Sequence, residues 1–476
     1  MRMTMIRAYR AAATATARMI CAFCLFTPMI SNAAPWEYGV GVDLGIIYTD
    51  NVLLADDGME QDEIVYTIAP SFFLATDGDR LDVNFNYRPE AYFYTDHSDA
   101  DTVFHVLDAS LTGALVNDRL FLFLGAANYQ SIVTPEGNFP TSNLPITGNR
   151  VDSRNFEIRP YWQQRIGQAD LYMDVAYREV DYDSDEIQSN DERSGRFELS
   201  NHERQQGLAW GLDYQYRQME FESSSPWEFQ RAALDLGFWV NGTMRIFGVV
   251  GAETSFENLG ESNLDEDFWE VGFQYRPNQR LNIELAAGDR SYGNSFRGDF
   301  SYEMRRGNIS LTYDEGPAVT GDQAFDYEPI RDTDNLDNIL DRPGVNERYI
   351  RRRGELMVGI DLSKSELTLR VFAEERDLRM TPEGMPLEDE SFSGAAIRWS
   401  WNLGTKTTMG VNLDISARER TGVDDKLRSA QVDLAYQMSQ RLSLSLAVLH
   451  SIQEGQVLST YDYTENQVRL MLRTEF

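Results

Sequence analysis

From Trp36 onward the chain alternates between two unlike sets of side chains, residue by residue. Trp36, Tyr38, Val40, Val42, Leu44, Ile46 and Tyr48 hold one parity, and Glu37, Gly39, Gly41, Asp43 and Gly45 hold the other. A period of two is a β-strand with two different faces. The same register returns in Leu81–Tyr87. It returns again where Leu208, Trp210, Leu212, Tyr214 and Tyr216 interleave with Ala209, Gly211, Asp213 and Gln215. Trp269–Tyr275, Leu281–Ala287, Met409–Ala417 and Ala430–Met438 repeat it. In each copy the second face is small or polar, which suits a water-filled or hydrogen-bonded lumen better than the inside of a two-layer sandwich.

The connections alternate as well. Thr76–Asp79, Val116–Arg119, Asn241–Thr243, Pro277–Gln279, Asn402–Thr405 and Met438–Gln440 read as tight hairpin turns. Between them come longer polar stretches at Asp50–Glu63, Ser131–Ser153, Asp183–Glu192, Glu257–Asp267 and Met380–Glu390. Short turns at one end and long loops at the other describe an all-β, antiparallel, transmembrane outer-membrane β-barrel with its short end in the periplasm. The longest nearly apolar run, Met19–Ile30, contains Pro28 and falls well short of the roughly 20 residues a membrane helix needs. Aromatic residues make up 12% of the chain, a load that two interfacial girdles would absorb. The formal net charge of −33 argues against nucleic acid as a partner.

Residues 1–33 read as a secretory signal peptide. Arg2, Arg7, Arg10 and Arg18 precede the apolar Met19–Ile30, and Ser31-Asn32-Ala33 forms a small-x-small cleavage site. Cleavage after Ala33 keeps Pro35 away from the scissile bond. Cys21 and Cys24 both leave with this segment, so the exported chain, 34–476, carries neither thiol nor disulfide and is still more acidic. Its end is equally specific. Val468, Leu470, Leu472 and Phe476 share one face, with Thr474 as a polar interruption, in the form of the signal read by the barrel-assembly machinery. At roughly 20 residues per strand with its share of loop, this length holds 20–22 strands, an even number. The span 314–347, with Pro317, Pro329, Pro343 and many aspartates, is an irregular loop or a lumenal plug. A change of face near Arg306-Gly307 suggests a β-bulge.

The segments Tyr48–Leu54, Ile68–Phe72 and Phe104–Ala109 resemble the PEP-CTERM system-associated outer-membrane proteins, a family of β-barrels. The resemblance implies a Gram-negative envelope, Sec export and association with an extracellular polysaccharide system. It brings no catalytic residues with it.

The residues themselves support no enzyme. His97, His105, His202 and His450 belong to no recognisable motif. No cofactor is expected, beyond a divalent cation at the acidic loops. Asp181, Asp183, Asp185 and Glu192 imitate calcium-loop spacing, but Glu186 stands where the sharp turn needs glycine, so a solvated acidic loop is the competing reading. Asp56, Asp57, Glu60, Asp62 and Glu63, and the aspartates of 322–341, admit the same two readings, with lipopolysaccharide phosphates as neighbours.

If the apolar faces meet lipid, the lumen receives Asp82, Asn84, Asn86, Arg88, Asp174, Arg178, Asp213, Gln215, Arg217, Glu284, Arg290, Arg370, Glu374, Asn412, Asp414, Arg418 and Arg420. Only Lys364, Lys406 and Lys426 of the 43 basic residues are lysines, so the lumenal cations are arginines suited to bidentate pairing. Such a lining serves a stiffening ion-pair ladder, a sugar-compatible conduit, or both. Three roles follow: a conduit or accessory barrel for polysaccharide export, partnered by export components or the polymer itself; a general porin; or a plugged structural barrel.

Overall fold

The computed structural model describes residues 35–476 except 117, 134–136, 185–186, 202–205, 223–225, 256–263, 320–346, 381–387, 421–422 and 456–461. The expected signal peptide, His202, Asp185 and most of 314–347 therefore lie outside the described residues.

The chain forms one closed antiparallel sheet of 22 strands. The first eleven are β1 (Glu37–Thr49), β2 (Glu63–Asp77), β3 (Leu81–Tyr94), β4 (Thr102–Val116), β5 (Leu120–Ile132), β6 (Arg150–Ile166), β7 (Ala169–Tyr182), β8 (Asn190–Ser200), β9 (Gly207–Phe221), β10 (Trp227–Trp239) and β11 (Met244–Glu253). The others are β12 (Glu266–Asn278), β13 (Leu281–Arg290), β14 (Gly293–Met304), β15 (Gly307–Val319), β16 (Arg348–Asp361), β17 (Ser365–Met380), β18 (Glu390–Asn402), β19 (Thr407–Arg420), β20 (Val423–Gln437), β21 (Leu442–Gly455) and β22 (Tyr463–Glu475). A 3-10 turn, Ser98–Ala100, interrupts the loop after β3.

Closure falls between the two chain ends. Val42, Leu44, Ile46 and Tyr48 of β1 lie opposite Thr474, Leu472, Leu470 and Val468 of β22, and the Phe476 amide donates to the Val40 carbonyl at 2.8 Å. The outward parity is apolar and exposed, for example Val250, Val271 and Leu285, as a lipid-facing wall requires. Outward aromatics gather towards the two rims. Trp399 and Trp401 stack at 5.5 Å near the short-turn end, while Tyr66 and Trp269 stand near the long-loop end.

Local chemistry explains several departures from plain alternation. Pro70 and Pro89 cannot donate to a ladder, and the β2–β3 register opens between Ile68↔Ala91 and Phe72↔Tyr87. The β6–β7 turn uses Gly167 at φ 65, which a two-residue hairpin favours. The expected bulge near Arg306-Gly307 is instead a hairpin turn. Met304 pairs with Gly307, whose φ of 137 only glycine adopts easily, so the apparent change of face is a change of strand. The stretch read as irregular from Asp314 remains in strand to Val319, paired with Arg348–Arg353.

Candidate functional site

The inner wall is built from the even or odd parity of each strand, and every lumen candidate falls on it. The register then supplies their partners. Arg178 and Arg217, from β7 and β9, converge on the fully buried Glu192 of β8 at 3.2 and 2.5 Å. Asp213 accepts from Arg231 at 3.0 Å and from Gln215 at 3.1 Å. Arg290 spans Glu253 at 2.5 Å and Glu270 at 3.1 Å, and Arg297 reaches Glu284 at 3.0 Å.

On the opposite arc, Arg370 pairs with Glu355 at 3.2 Å, while Glu374 takes Arg353 at 3.1 Å and Arg376 at 2.7 Å. Arg418 pairs with Glu390 at 3.1 Å and Arg420 with Glu388 at 3.2 Å. Asp414 lies 3.7 Å from Arg398 and accepts from the Ser429 hydroxyl at 3.3 Å. Arg88 is held by Glu90 at 3.2 Å and Asp43 at 3.8 Å. Asp82, Asn84 and Asn86 line the inner face of β3 in exposed positions; Asp174 and Asn412 stand opposite Arg196 and Arg398. Most of these carboxylates are shielded from bulk water, where pairing and hydrogen bonding are what make a buried charge tolerable.

The arrangement not foreseen from sequence is a loop that enters the lumen. Residues 137–149, between β5 and β6, leave their own strands and dock on the wall formed by β17–β22 and β1–β3. The Tyr463 hydroxyl donates to the Phe139 carbonyl at 2.5 Å, and Gln453 accepts from the Phe139 amide at 2.8 Å. The Tyr94 hydroxyl donates to the Leu144 carbonyl at 2.7 Å, and the Ile146 amide donates to Val52 at 2.8 Å. Arg150 donates to the carbonyls of Ser142 and Pro145. Phe139 is buried with Leu54, Phe372, Phe392, Leu427 and Tyr463, and Leu144 with Ile47, Val52, Val65, Tyr92 and Tyr94. Two apolar clusters thus join the loop to the inner wall of the barrel. The signal for them was present in Phe139, Pro140, Leu144, Pro145 and Ile146, an apolar content that a solvated loop has no use for.

A second contact joins strand tips on the other side of the long-loop end. Val319, at the tip of β15, is buried with Met219, Phe221 and Trp227, and Arg348 donates to the Pro226 carbonyl at 3.1 Å. The β15–β16 tip thereby reaches past β11–β14 to the ends of β9 and β10.

The remaining candidates have structural partners. The Glu63 carboxylate accepts from the Thr95, Asp96 and His97 amides and from the Thr95 hydroxyl, and contacts the His97 ring at 2.8 Å, pinning the loop after β3. His105 bonds Tyr87 and His450 bonds Asn466, each at 2.8 Å on the outward face. The described members of the calcium-like set, Asp181, Asp183 and Glu192, do not converge. Asp181 and Asp183 flank Arg154 on the outer face at 3.5 and 3.4 Å, whereas Glu192 faces the lumen between two arginines. Among the described residues no group of three or more potential ligands is assembled for a metal.

A closed even-numbered barrel with lipid-facing belts, aromatic rims and a polar interior is a bacterial outer-membrane β-barrel. Among solved structures, the chain is similar to a mutant of the ferric enterobactin receptor PfeA from Pseudomonas aeruginosa, at 8% identity and TM-score 0.50, covering 94% of this chain and 81% of that one. It is also similar to the siderophore receptor PirA from Acinetobacter baumannii (8% identity, TM-score 0.49, 93% and 81% covered). A third is OccK2 from Pseudomonas aeruginosa (10% identity, TM-score 0.39, 92% and 98% covered). At such identities the likeness concerns the fold alone. No family model matches the chain, and no curated protein does either.

Proposed function

We propose that this protein is a loop-constricted conduit or accessory barrel of the outer membrane that serves an extracellular polysaccharide system. The observation that carries the reading is the combination of a lumen lined by paired arginines, carboxylates and amides with a loop, 137–149, folded across its long-loop end. Such a lining offers hydroxyl-rich solutes many donors and acceptors without a field of one sign. The constriction favours a selected or gated passenger over the free traffic of a general porin. The resemblance of Tyr48–Leu54, Ile68–Phe72 and Phe104–Ala109 to PEP-CTERM system-associated barrels supplies the polysaccharide context. The proposed role is non-catalytic.

A second reading, a plugged structural barrel, is favoured by the depth at which Phe139 and Leu144 are buried. Planar-bilayer conductance of the refolded protein separates the two. A conduit passes ions in the resting state or after the loop is shortened, and loss of its gene reduces surface polymer. A barrel that conducts in neither form is structural.

A further inference from the structure

We infer that the periplasmic end of the lumen carries a binding subsite for neutral pyranose rings, formed by an aromatic strip across β5, β6 and β7 beside a cavity of about 700 Å³. The inference rests on the conduit reading and names what that conduit would hold. Phe121 and Tyr161 are register partners, and Tyr172 lies opposite Gln163 one strand further on, all on the lumen-facing parity and all within a few residues of the short turns. Phe121 and Tyr161 stack at 5.0 Å with planes 10° apart, and Tyr161 meets Tyr172 at 6.1 Å. All three rings are half-buried and keep part of their apolar surface towards the lumen, with the Arg196 guanidinium 5.9 Å from the centre of the Tyr172 ring. None of the apolar clusters among the described residues includes them, and lipid lies on the other side of the wall.

The cavity beside Tyr172 supplies the complementary polar chemistry. Arg196 pairs with Glu198 at 2.9 Å and Arg165 lies 3.9 Å from Asp170, and Arg119 and Asp118 complete a lining of three guanidinium groups and three carboxylates. That balance offers donors and acceptors in equal measure without attracting a polyanion. A pyranose ring has what such a site matches: a C–H face to lie on an aromatic ring and hydroxyl edges to exchange hydrogen bonds with arginine and carboxylate. Its position at the short-turn end places the subsite where a polymer coming from the periplasm first meets the barrel.

The test uses the refolded full-length protein with maltohexaose and cellohexaose as neutral probes and hexagalacturonate as the anionic control. Binding is read by calorimetry and by blockade of conductance in planar bilayers. We expect a neutral hexasaccharide to bind more tightly than hexagalacturonate. Replacing both tyrosines, Tyr161→Ala with Tyr172→Ala, should weaken that binding about tenfold, while Tyr172→Phe retains it within about twofold. If the double variant lacks the heat-modifiable migration of a folded barrel, Tyr172→Ala alone makes the same comparison. Equal affinity in wild type and alanine variant, or tighter binding of the polyanion, overturns the subsite. A protein that conducts but binds neither neutral probe loses the subsite and keeps the conduit. One that conducts in no form loses the conduit, and the subsite with it.

Discussion

Glu192 shows how much a carboxylate's role depends on the strand beside it. Its spacing from Asp181 imitates a calcium loop, yet strand parity turns Asp181 outward and Glu192 inward, where it is fully buried between Arg178 and Arg217. Two guanidinium groups share this counterion. Removing it forces partly desolvated positive charges towards each other, a cost reduced here because the arginines retain some access to water. Glu192→Ala should therefore destabilise the barrel by roughly 2–3 kcal/mol. The measurement is the urea midpoint for loss of heat-modifiable migration, and Glu192→Gln should fall between the two. An unchanged midpoint would mean that the pair contributes nothing to the wall. At this scale the sequence was half legible. Alternation found the lumen-facing arginines but not partners such as Glu253, Glu355 and Glu390, because pairing across strands depends on register, which no single strand's pattern contains.

The elements divide along the same line. Strands with one apolar face, such as β1, β9 and β22, were readable because lipid imposes strict alternation on them. Loop 137–149 was not, since its role depends on contacts with residues more than 300 positions away in sequence, Gln453 and Tyr463 among them. The last residues of β15 also escaped notice, because Pro317 reads as an interruption although the strand continues to Val319. Loop and wall make separable predictions. Replacing 138–148 by a short glycine linker leaves the strand ladder intact and should raise single-channel conductance several-fold; unchanged conductance would show that the constriction lies elsewhere. The β1–β22 seam tests the wall. A Cβ at Gly45 would run into Thr67 Oγ1 and Met471 Sδ, so Gly45→Val should cost about 1–3 kcal/mol of overpacking. Folded yield should fall accordingly, with Gly45→Ala showing the same effect more mildly.

For the whole molecule, the alternation that argues against a packed soluble core and the strongly acidic charge belong to one design. Every second residue meets lipid, and the charged groups are left to the lumen and the rims. Within the lumen the charges are largely matched, since guanidinium and carboxylate groups neutralise one another across neighbouring strands. The excess behind the net charge of −33 must therefore act mainly through the ends of the barrel, where it raises the local concentration of cations before they enter. Any ion current through the protein should then be cation-selective, with a reversal potential in a KCl gradient displaced towards that of potassium. Because the selectivity comes from the mouths rather than from a single buried ring of charge, it should weaken between 0.1 and 1 M salt, as the screening length contracts from about 10 Å to about 3 Å. Anion selectivity, or a cation preference indifferent to salt, would place the governing charges inside the lumen and count against the matched arginine–carboxylate lining as electrically neutral.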